Sequence, residues 1–438
     1  MISGSSQSPA LEHEGLFKKL LRATEIDARI VGMVIALFVI WIGFHVAGYF
    51  VTGQALFLTP RNLWNLLVQT SSISIMATGM VLIIVMRHID LSVGSILGFV
   101  AVVMAYLQVY GLTPYFAAGS PWIWIIATII GLALGALIGA IHGAMVAYSG
   151  IPSFIVTLAG LMFWRGAAFK VASGETIAPL DPTYALIGGG PYGSIGSFWS
   201  WIVGLIACAG IVWGLYNQRV QRKRFHFPLR PIWAEATVGG ILIAVVIFAV
   251  TLVNSYLWPI GIVKQYVAAN KIAMAPEDLH ISHGFAMPVL IAAAVGLIMT
   301  FVSNRTVLGR YVYAIGGNPE AAVLAGVNTK KITIAAFTIM GVLAAVSAIV
   351  ATARLNAAAI ALGQFDELYV IAATVIGGTS LAGGTGTIFG AFFGALIMQS
   401  IQTGMTLLGF DTPVLQMTLG LVLCFAVWLD HVYRSKMK

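Results

Sequence analysis

The 438-residue chain is 59% hydrophobic and only 9% charged, and its mean hydropathy is +0.95. Soluble globular domains carry about 25% charged residues, so this composition excludes a water-exposed body and predicts an all-α integral membrane protein. The formal net charge of +8 lies in loops between apolar segments, which argues against nucleic-acid binding. Both cysteines, Cys208 and Cys424, lie in apolar runs, which argues against a disulfide framework or a thiolate metal site.

Apolar segments of about 20 residues, long enough to cross a bilayer core of about 30 Å, predict about twelve transmembrane helices. They occur at residues 30–50, 63–86, 91–110, 122–148, 153–172, 197–216, 233–258, 286–303, 332–353, 367–381, 386–408 and 413–431. With both termini in the cytoplasm, the positive-inside rule is satisfied, because the outer loops then contain only four basic residues: Arg61, Lys264, Lys271 and Arg354. The predicted organisation is a cytoplasmic segment at 1–29, one transmembrane domain at 30–434 and a cytoplasmic tail at 435–438.

A polar stretch at residues 87–95 separates the second and third spans without a proper loop. A carboxylate at bilayer depth costs about 2.5–3.5 kcal/mol and needs a partner or a water-filled cavity, so Asp90 predicts a helix broken inside the membrane. Asp90 followed by Ser92 also fits an N-cap at the start of the third span. A plain cytoplasmic turn is the alternative interpretation.

Span four has a glycine at every fourth position: Gly131, Gly135, Gly139 and Gly143. This spacing lays a groove along one helix face and predicts close packing against another helix. Gly390 and Gly394 repeat the pattern in span eleven, and each ridge follows a polar, glycine-containing break. Together they predict a weak internal repeat of the kind found in transporters.

Two inner loops are informative. The basic loop at 217–232 contains five basic and no acidic residues between 219 and 230, and it either binds anionic lipid or a partner, or fixes the topology. The loop at 304–331 predicts a short helix that begins with Asn318 as N-cap and Pro319 at its first position, with Glu320 in the first turn. So short a helix needs a docking surface, on its own bundle or on a partner.

Two glycine pairs within residues 377–386 disfavour a continuous helix, because each glycine costs about 1 kcal/mol relative to alanine. They predict a tight connection or re-entrant break between spans ten and eleven. The Lys-Ser/Thr ending of a Walker phosphate loop is absent here and elsewhere in the sequence, and no catalytic constellation is recognisable. The chain is therefore not expected to be an enzyme or to bind a cofactor of its own.

Four motifs occur in a characteristic order: Ile-Asp-Leu-Ser-Val-Gly-Ser at 89–95, Pro-Ser-Phe-Ile-Val-Thr-Leu-Ala-Gly at 152–160 with Arg165-Gly166, Gly-Gly-Asn-Pro-Glu-Ala-Ala at 316–322, and Ile-Gly-Gly-Thr-Ser-Leu-Ala-Gly-Gly at 376–384. In these motifs, residues 58–434 resemble the permease subunits of bacterial ABC importers for monosaccharides, the ribose/xylose/arabinose group. An extra pair of spans at 197–258 is similar to the xylose type. His142 and Thr403 depart from the family, which often has Asn before the glycine at these positions.

The resemblance implies a multi-pass permease of the bacterial inner membrane that translocates a monosaccharide, a pentose such as xylose. Its partners, besides membrane lipids, would be two ABC ATPase subunits, a periplasmic sugar-binding protein and a second permease subunit, expected to be a copy of this chain. ATP and Mg²⁺ would bind to the ATPase. An ion-coupled secondary sugar carrier is the alternative, for which few ionisable residues lie within the spans.

Three groups of site residues are predicted with this function. The inner loop would couple to the ATPase through Gly309, Arg310, Gly316, Gly317, Asn318, Pro319, Glu320, Ala321, Ala322 and Gly326. The substrate pathway would be formed near Asp90, Ser92, Ser95, Thr379 and Ser380. The outer loop with Glu175 and Asp181 would contact the sugar-binding protein, and the long outer loop at 259–285 would extend that contact.

Overall fold

The computed structural model describes residues 24–25, 28–117 and 119–435. Most of the predicted cytoplasmic tail at 435–438 and most of the N-terminal segment at 1–29 lie outside the described residues. Within the described part the chain is helical, and β-structure is limited to three isolated bridges. The predicted all-α class is confirmed.

The helices follow the predicted order. They are α1 (Ala28–Thr52), α2 (Pro60–Val85), α3 (Val93–Tyr106), α4 (Pro121–Ser149), α5 (Ser153–Ala172), α6 (Pro182–Ala185), α7 (Gly196–Arg224), α8 (Ile232–Ser255), α9 (Ile260–Asn270), α10 (Met287–Arg305), α11 (Val307–Gly317), α12 (Pro319–Leu324), α13 (Thr329–Leu355), α14 (Asp366–Ile376), α15 (Ile388–Leu407) and α16 (Thr412–Ser435). A π-helical turn, Leu107–Gly111, extends α3, and a 3₁₀ turn, Leu186–Gly188, follows α6.

Ten helices of the described chain are long and apolar enough to cross a membrane, and α16 adds a shorter apolar stretch, Thr412–Phe425. The tenth predicted span, 367–381, is different. It is only the 11-residue helix α14, about 16 Å long, which is half the thickness of a bilayer core. The glycine pair at 377–378 ends it early, so this element is a half-length helix followed by a break.

The chain divides into two compact units. Of the described residues, 24–25, 28–32 and 198–251 form the smaller one, which contains most of the extra pair of spans, α7 and α8. Helix α7 continues through Arg224, so the predicted basic loop at 217–232 is helical over its first half. Three of its arginines are paired within this unit: Arg219 contacts Glu235 at 2.7 Å, and Glu25 accepts bonds from Arg222 at 2.8 Å and Arg230 at 2.7 Å. These ion pairs hold the inner end of the helix pair together.

The larger unit is built around α2, which is buried along nearly its whole length and packs against α10, α13, α14 and α15. The glycine ridge of α4 faces α13, and there a Cβ on Gly139 would overlap the carbonyl oxygen of Phe337. A Cβ on Gly394 of α15 would likewise overlap the carbonyl oxygen of Ala373 in α14. The predicted close packing of both ridges is confirmed.

Candidate functional site

The first helix break is a connection of seven residues between the end of α2 at Val85 and the start of α3 at Val93. The first turn of α5 holds it in place. Ser153 Oγ accepts a hydrogen bond from the Ile89 amide at 3.2 Å, and Thr157 Oγ1 donates to the Ile89 carbonyl at 3.3 Å. The break is thus bonded within the helix bundle, unlike a free cytoplasmic turn.

Asp90 lies at the centre of this break and is 1% exposed. Its Oδ1 accepts hydrogen bonds from the Ser92 amide at 2.8 Å and from Ser92 Oγ at 2.6 Å. The predicted N-cap role is wrong, because the cap position of α3 is Ser92 and its side chain makes no capping bond. The carboxylate stabilises the turn before the helix instead. Ser95 Oγ donates back to the Ser92 carbonyl at 2.8 Å.

Two side chains from other helices complete the Asp90 network. His142 Nδ1 lies 3.2 Å from Ser92 Oγ, and Trp164 Nε1–H donates to His142 Nε2 at 3.1 Å. Since an indole nitrogen only donates, Nε2 accepts and the ring proton of a neutral His142 is on Nδ1. Hydrogen bonds then run in one direction, from Trp164 through His142 and Ser92 to Asp90. A Cβ on Gly160 would lie 2.5 Å from His142 Cε1, so this glycine makes room for the ring.

Sequence reasoning missed Trp164, and it treated His142 only as a departure from the family. The glycine ridge was the available signal, since it includes Gly143 directly after His142. His142 is buried in the bundle interior, and a buried histidine requires hydrogen-bond partners.

The second break, residues 377–387, joins α14 to α15 and confirms the predicted interruption. Ser380 closes a turn by accepting a bond from the Ala382 amide on its Oγ at 3.2 Å. Thr379 is fully buried, and its hydroxyl has no hydrogen-bond partner among the described residues.

The five predicted pathway residues thus fall into two groups. Asp90, Ser92 and Ser95 lie together in the first break, and Thr379 and Ser380 lie in the second. All five are buried in this conformation.

The predicted inner helix is present as α12. Asn318 Oδ1 accepts a bond from the Ala321 amide at 3.0 Å, and Pro319 occupies the first helical position. The coupling residues divide by exposure. Gly309, Gly316 and Ala322 are buried, whereas the others are exposed: Arg310, Gly317, Asn318, Pro319, Glu320, Ala321 and Gly326.

The face of α12 that points away from the helix bundle is apolar and exposed. Leu324 is 89% exposed and Val323 56% exposed, while Ala322 on the opposite side is 4% exposed. The helix therefore packs on its own bundle through one face and leaves the other free. Of the two interpretations that the sequence left open, packing on its own bundle is observed for one face, and docking on a partner stays a prediction for the exposed face.

On the predicted outer side, Glu175 is exposed, whereas Asp181 N-caps α6 by accepting bonds from the Thr183 and Tyr184 amides at 2.8 and 3.1 Å. The long outer loop contains the helix α9. The His283 ring, buried at the end of this loop, stacks on Tyr256 with 4.2 Å between ring centroids.

A cavity of about 580 Å³ lies where the outer ends of α14, α15 and α16 meet. Its lining combines amides, carboxylates and aromatic rings, including Gln364, Asp366, Tyr369, Gln402, Phe410, Asp411 and Gln416. Glu367, the residue after Asp366 in the chain, is 7% exposed, and its Oε2 has no hydrogen-bond partner among the described residues. Sequence reasoning missed this cavity, because its residues come from separate helix ends.

An all-helical membrane body with two bonded helix breaks and a half-length helix has the architecture of a transport permease. The family model described as "Branched-chain amino acid transport system / permease component" matches residues 62–225 and 198–427. The chain belongs to this family. With ten span-length helices among its described residues, it is a multi-pass permease of the bacterial inner membrane.

Curated relatives are similar over most of their length. The xylose transport system permease protein XylH of Haemophilus influenzae is 36% identical over 420 residues, covering 95% of this chain and 100% of the relative. The ribose import permease protein RbsC of Escherichia coli K12 is 31% identical over 378 residues, 86% of this chain and 87% of the relative. The D-allose transport system permease protein AlsC of the same strain is 28% identical over 376 residues, covering 86% of this chain and 85% of the relative. No solved structure matches this chain.

Proposed function

We propose that this chain is the membrane subunit of an ABC importer that translocates a monosaccharide, specifically a pentose such as xylose. A separate ATPase would bind ATP and Mg²⁺ and drive transport, and a periplasmic sugar-binding protein would deliver the substrate. Similarity to XylH over nearly the whole chain supports the pentose.

The observation that carries the coupling to an ATPase is the uncovered apolar face of α12. An isolated helix of six residues is unstable in water, yet this one is fixed by a cap and by its buried side while its far side exposes Leu324. Such a rigid apolar knob suits the groove of a partner protein, where burial of one leucine contributes about 1.5–3 kcal/mol.

The outer cavity supports a sugar as substrate. Sugar hydroxyl groups need hydrogen-bond partners on several sides, and the cavity offers them on Gln364, Gln402 and Gln416. In the proposed cycle, ATP binding draws two ATPases together, moves α12 and opens a pair of permeases outward. Sugar then passes from the cavity towards the two helix breaks, which must open because their polar groups are buried here.

Reconstituted vesicles test this function. We expect uptake of labelled pentose only when the permease, its ATPase, its binding protein and internal ATP are all present. A panel of pentoses and hexoses then identifies the substrate. Replacing Asn318 or Glu320 by Ala should retain expression but separate ATP hydrolysis from uptake, and normal uptake in both variants would contradict the coupling role.

An ion-coupled sugar carrier is the second candidate. The buried Glu367 favours it, because secondary carriers bind protons or ions through buried carboxylates. Uptake by the lone chain under an imposed proton or sodium gradient, abolished by Glu367→Gln, would establish this function and exclude the importer.

A further inference from the structure

Three segments that are distant in sequence meet at the predicted inner ends of the helices: residues 85–87, 316–317 and 383–386. The Gly384 amide donates to the Val85 carbonyl at 2.9 Å. A Cβ on Gly316 would overlap that same carbonyl oxygen and lie 2.7 Å from the Gly384 nitrogen. The end of α2, the end of α11 and the second break therefore touch through their backbones.

Arg87 fastens this junction. Its Nε donates to the Gly316 carbonyl at 2.9 Å, and its Nη2 donates to the Gly317 carbonyl at 2.9 Å. The last carbonyls of a helix lack partners within that helix and carry partial negative charge. A guanidinium with two donors in a fixed fork suits this pair of acceptors better than a lysine would.

Arg87 has a backbone conformation that favours glycine, so an arginine at this position indicates that its side chain makes a stabilising contact. Its φ is +65°, and the His88 amide closes the end of α2 by donating to the Ile83 carbonyl at 3.0 Å. Glycine usually occupies this position after a helix, because the left-handed conformation disfavours a Cβ. Opposite it, a Cβ on Gly383 would collide with Arg87 Cγ, so glycine there accommodates the arginine stem.

Helix α11 is also joined directly to the second break. Tyr313 Oη donates to the Gly386 carbonyl at 2.8 Å and lies 3.1 Å from Ser303 Oγ. The helix preceding α12 is thus bonded to the first break through Arg87 and to the second through Tyr313. Asp90 follows Arg87 by three residues, so the first attachment leads directly into the buried polar network.

We propose that Arg87 is a positioning residue that transmits movement of α11 and α12 to both helix breaks at once. This inference rests on the proposed function, in which α12 docks on the ATPase. When α12 moves, the guanidinium carries the end of α2 with α11. The Val85–Gly384 bond then carries the second break with α2.

Hydrogen exchange on the permease in lipid nanodiscs tests the junction itself. Arg87→Gly and Arg87→Asn both tolerate the left-handed backbone and lack the guanidinium. Both should speed amide exchange at Asn318 and Gly384 by about tenfold or more. The control Arg305→Ala removes an exposed arginine from the end of α10 and should change neither amide. Unchanged exchange at Gly384 in both Arg87 variants would overturn the proposal, whatever transport does.

Transport in the full complex tests the consequence. The sugar moved per ATP hydrolysed should fall by about tenfold or more in both Arg87 variants, with ATPase binding and melting temperature retained. A purely structural arginine would instead lower the melting temperature and leave the ratio unchanged, and that result overturns the proposal. If the wild-type complex moves sugar without ATP, the proposed function fails, and the exchange experiment alone decides whether Arg87 joins the breaks.

Discussion

The proposed docking of α12 on the ATPase leads to a prediction for Leu324→Ala. The side chain is 89% exposed in the free permease, so nearly all of its burial remains to be gained in a complex. The substitution removes three carbons at about 0.8 kcal/mol each, about 2.4 kcal/mol in total, which weakens ATPase binding by roughly 50-fold. The permease itself should keep its stability within about 0.5 kcal/mol, because the lost atoms contact little in the free protein.

Binding of the purified ATPase to permease in nanodiscs measures this effect as a dissociation constant. Leu297→Ala is the matched control, since this leucine of α10 is 74% exposed and lies outside the inner loop. Equal affinity of the Leu324 variant and the control, with equal melting temperatures, would refute docking through α12.

Three further predictions concern stability, measured by thermal unfolding in detergent. Gly139→Ala forces a Cβ against a neighbouring backbone and should cost about 1–3 kcal/mol, whereas a Cβ on Gly214 meets nothing and Gly214→Ala should be neutral or slightly stabilising. Trp164→Phe keeps a smaller aromatic ring but leaves the buried His142 Nε2 without its donor, at a cost of about 1–3 kcal/mol. Burial lowers the pKa of His283 below its usual 6.5, so the unfolded chain takes up the proton first and stability falls as the pH drops below about 6.5. The wild type should therefore lose more melting temperature than His283→Gln between about pH 7.5 and 5.5.

Each of these outcomes has a clear contrary. A melting temperature for Gly139→Ala equal to that of its control would contradict the backbone contact between α4 and α13. A melting temperature for Trp164→Phe equal to that of the wild type would show that water replaces the indole donor. Parallel pH profiles for the wild type and the His283 variant would mean that the buried ring is protonated as readily as in the unfolded chain.

Local signals in the sequence predicted much of the fold. The short helix α12 follows from Asn318 and Pro319, whose effects act within one helical turn, and both are observed in the predicted roles. The apolar segments predicted the spans because length and hydropathy are sufficient for that purpose. The length of α14 was overestimated, since the sequence predicted a span that continues past the glycine pair at 377–378, where the helix ends.

The Asp90 network was only partly predictable. A carboxylate two residues before a serine fits either an N-cap or a turn that bonds the serine amide, and sequence alone does not distinguish these geometries. The partners His142 and Trp164 come from α4 and α5, and their hydrogen bonds depend on how those helices cross. Only the packed structure supplies that information.

The glycine pairs also have contacts that depend on how the helices pack and that the sequence did not predict. The pair at 383–384 was predicted within a tight connection and lies in one, and the pair at 316–317 ends α11. Their second role is to let three backbones and the stem of Arg87 occupy one place, and no local rule contains it. In the proposed transport cycle, such a junction would pass movement of an inner helix to the buried polar groups through short backbone contacts and the bonds of Arg87. Glycines permit that direct contact, and the long side chain of Arg87 is held at one end by its backbone conformation and at the other by the two carbonyls to which it donates.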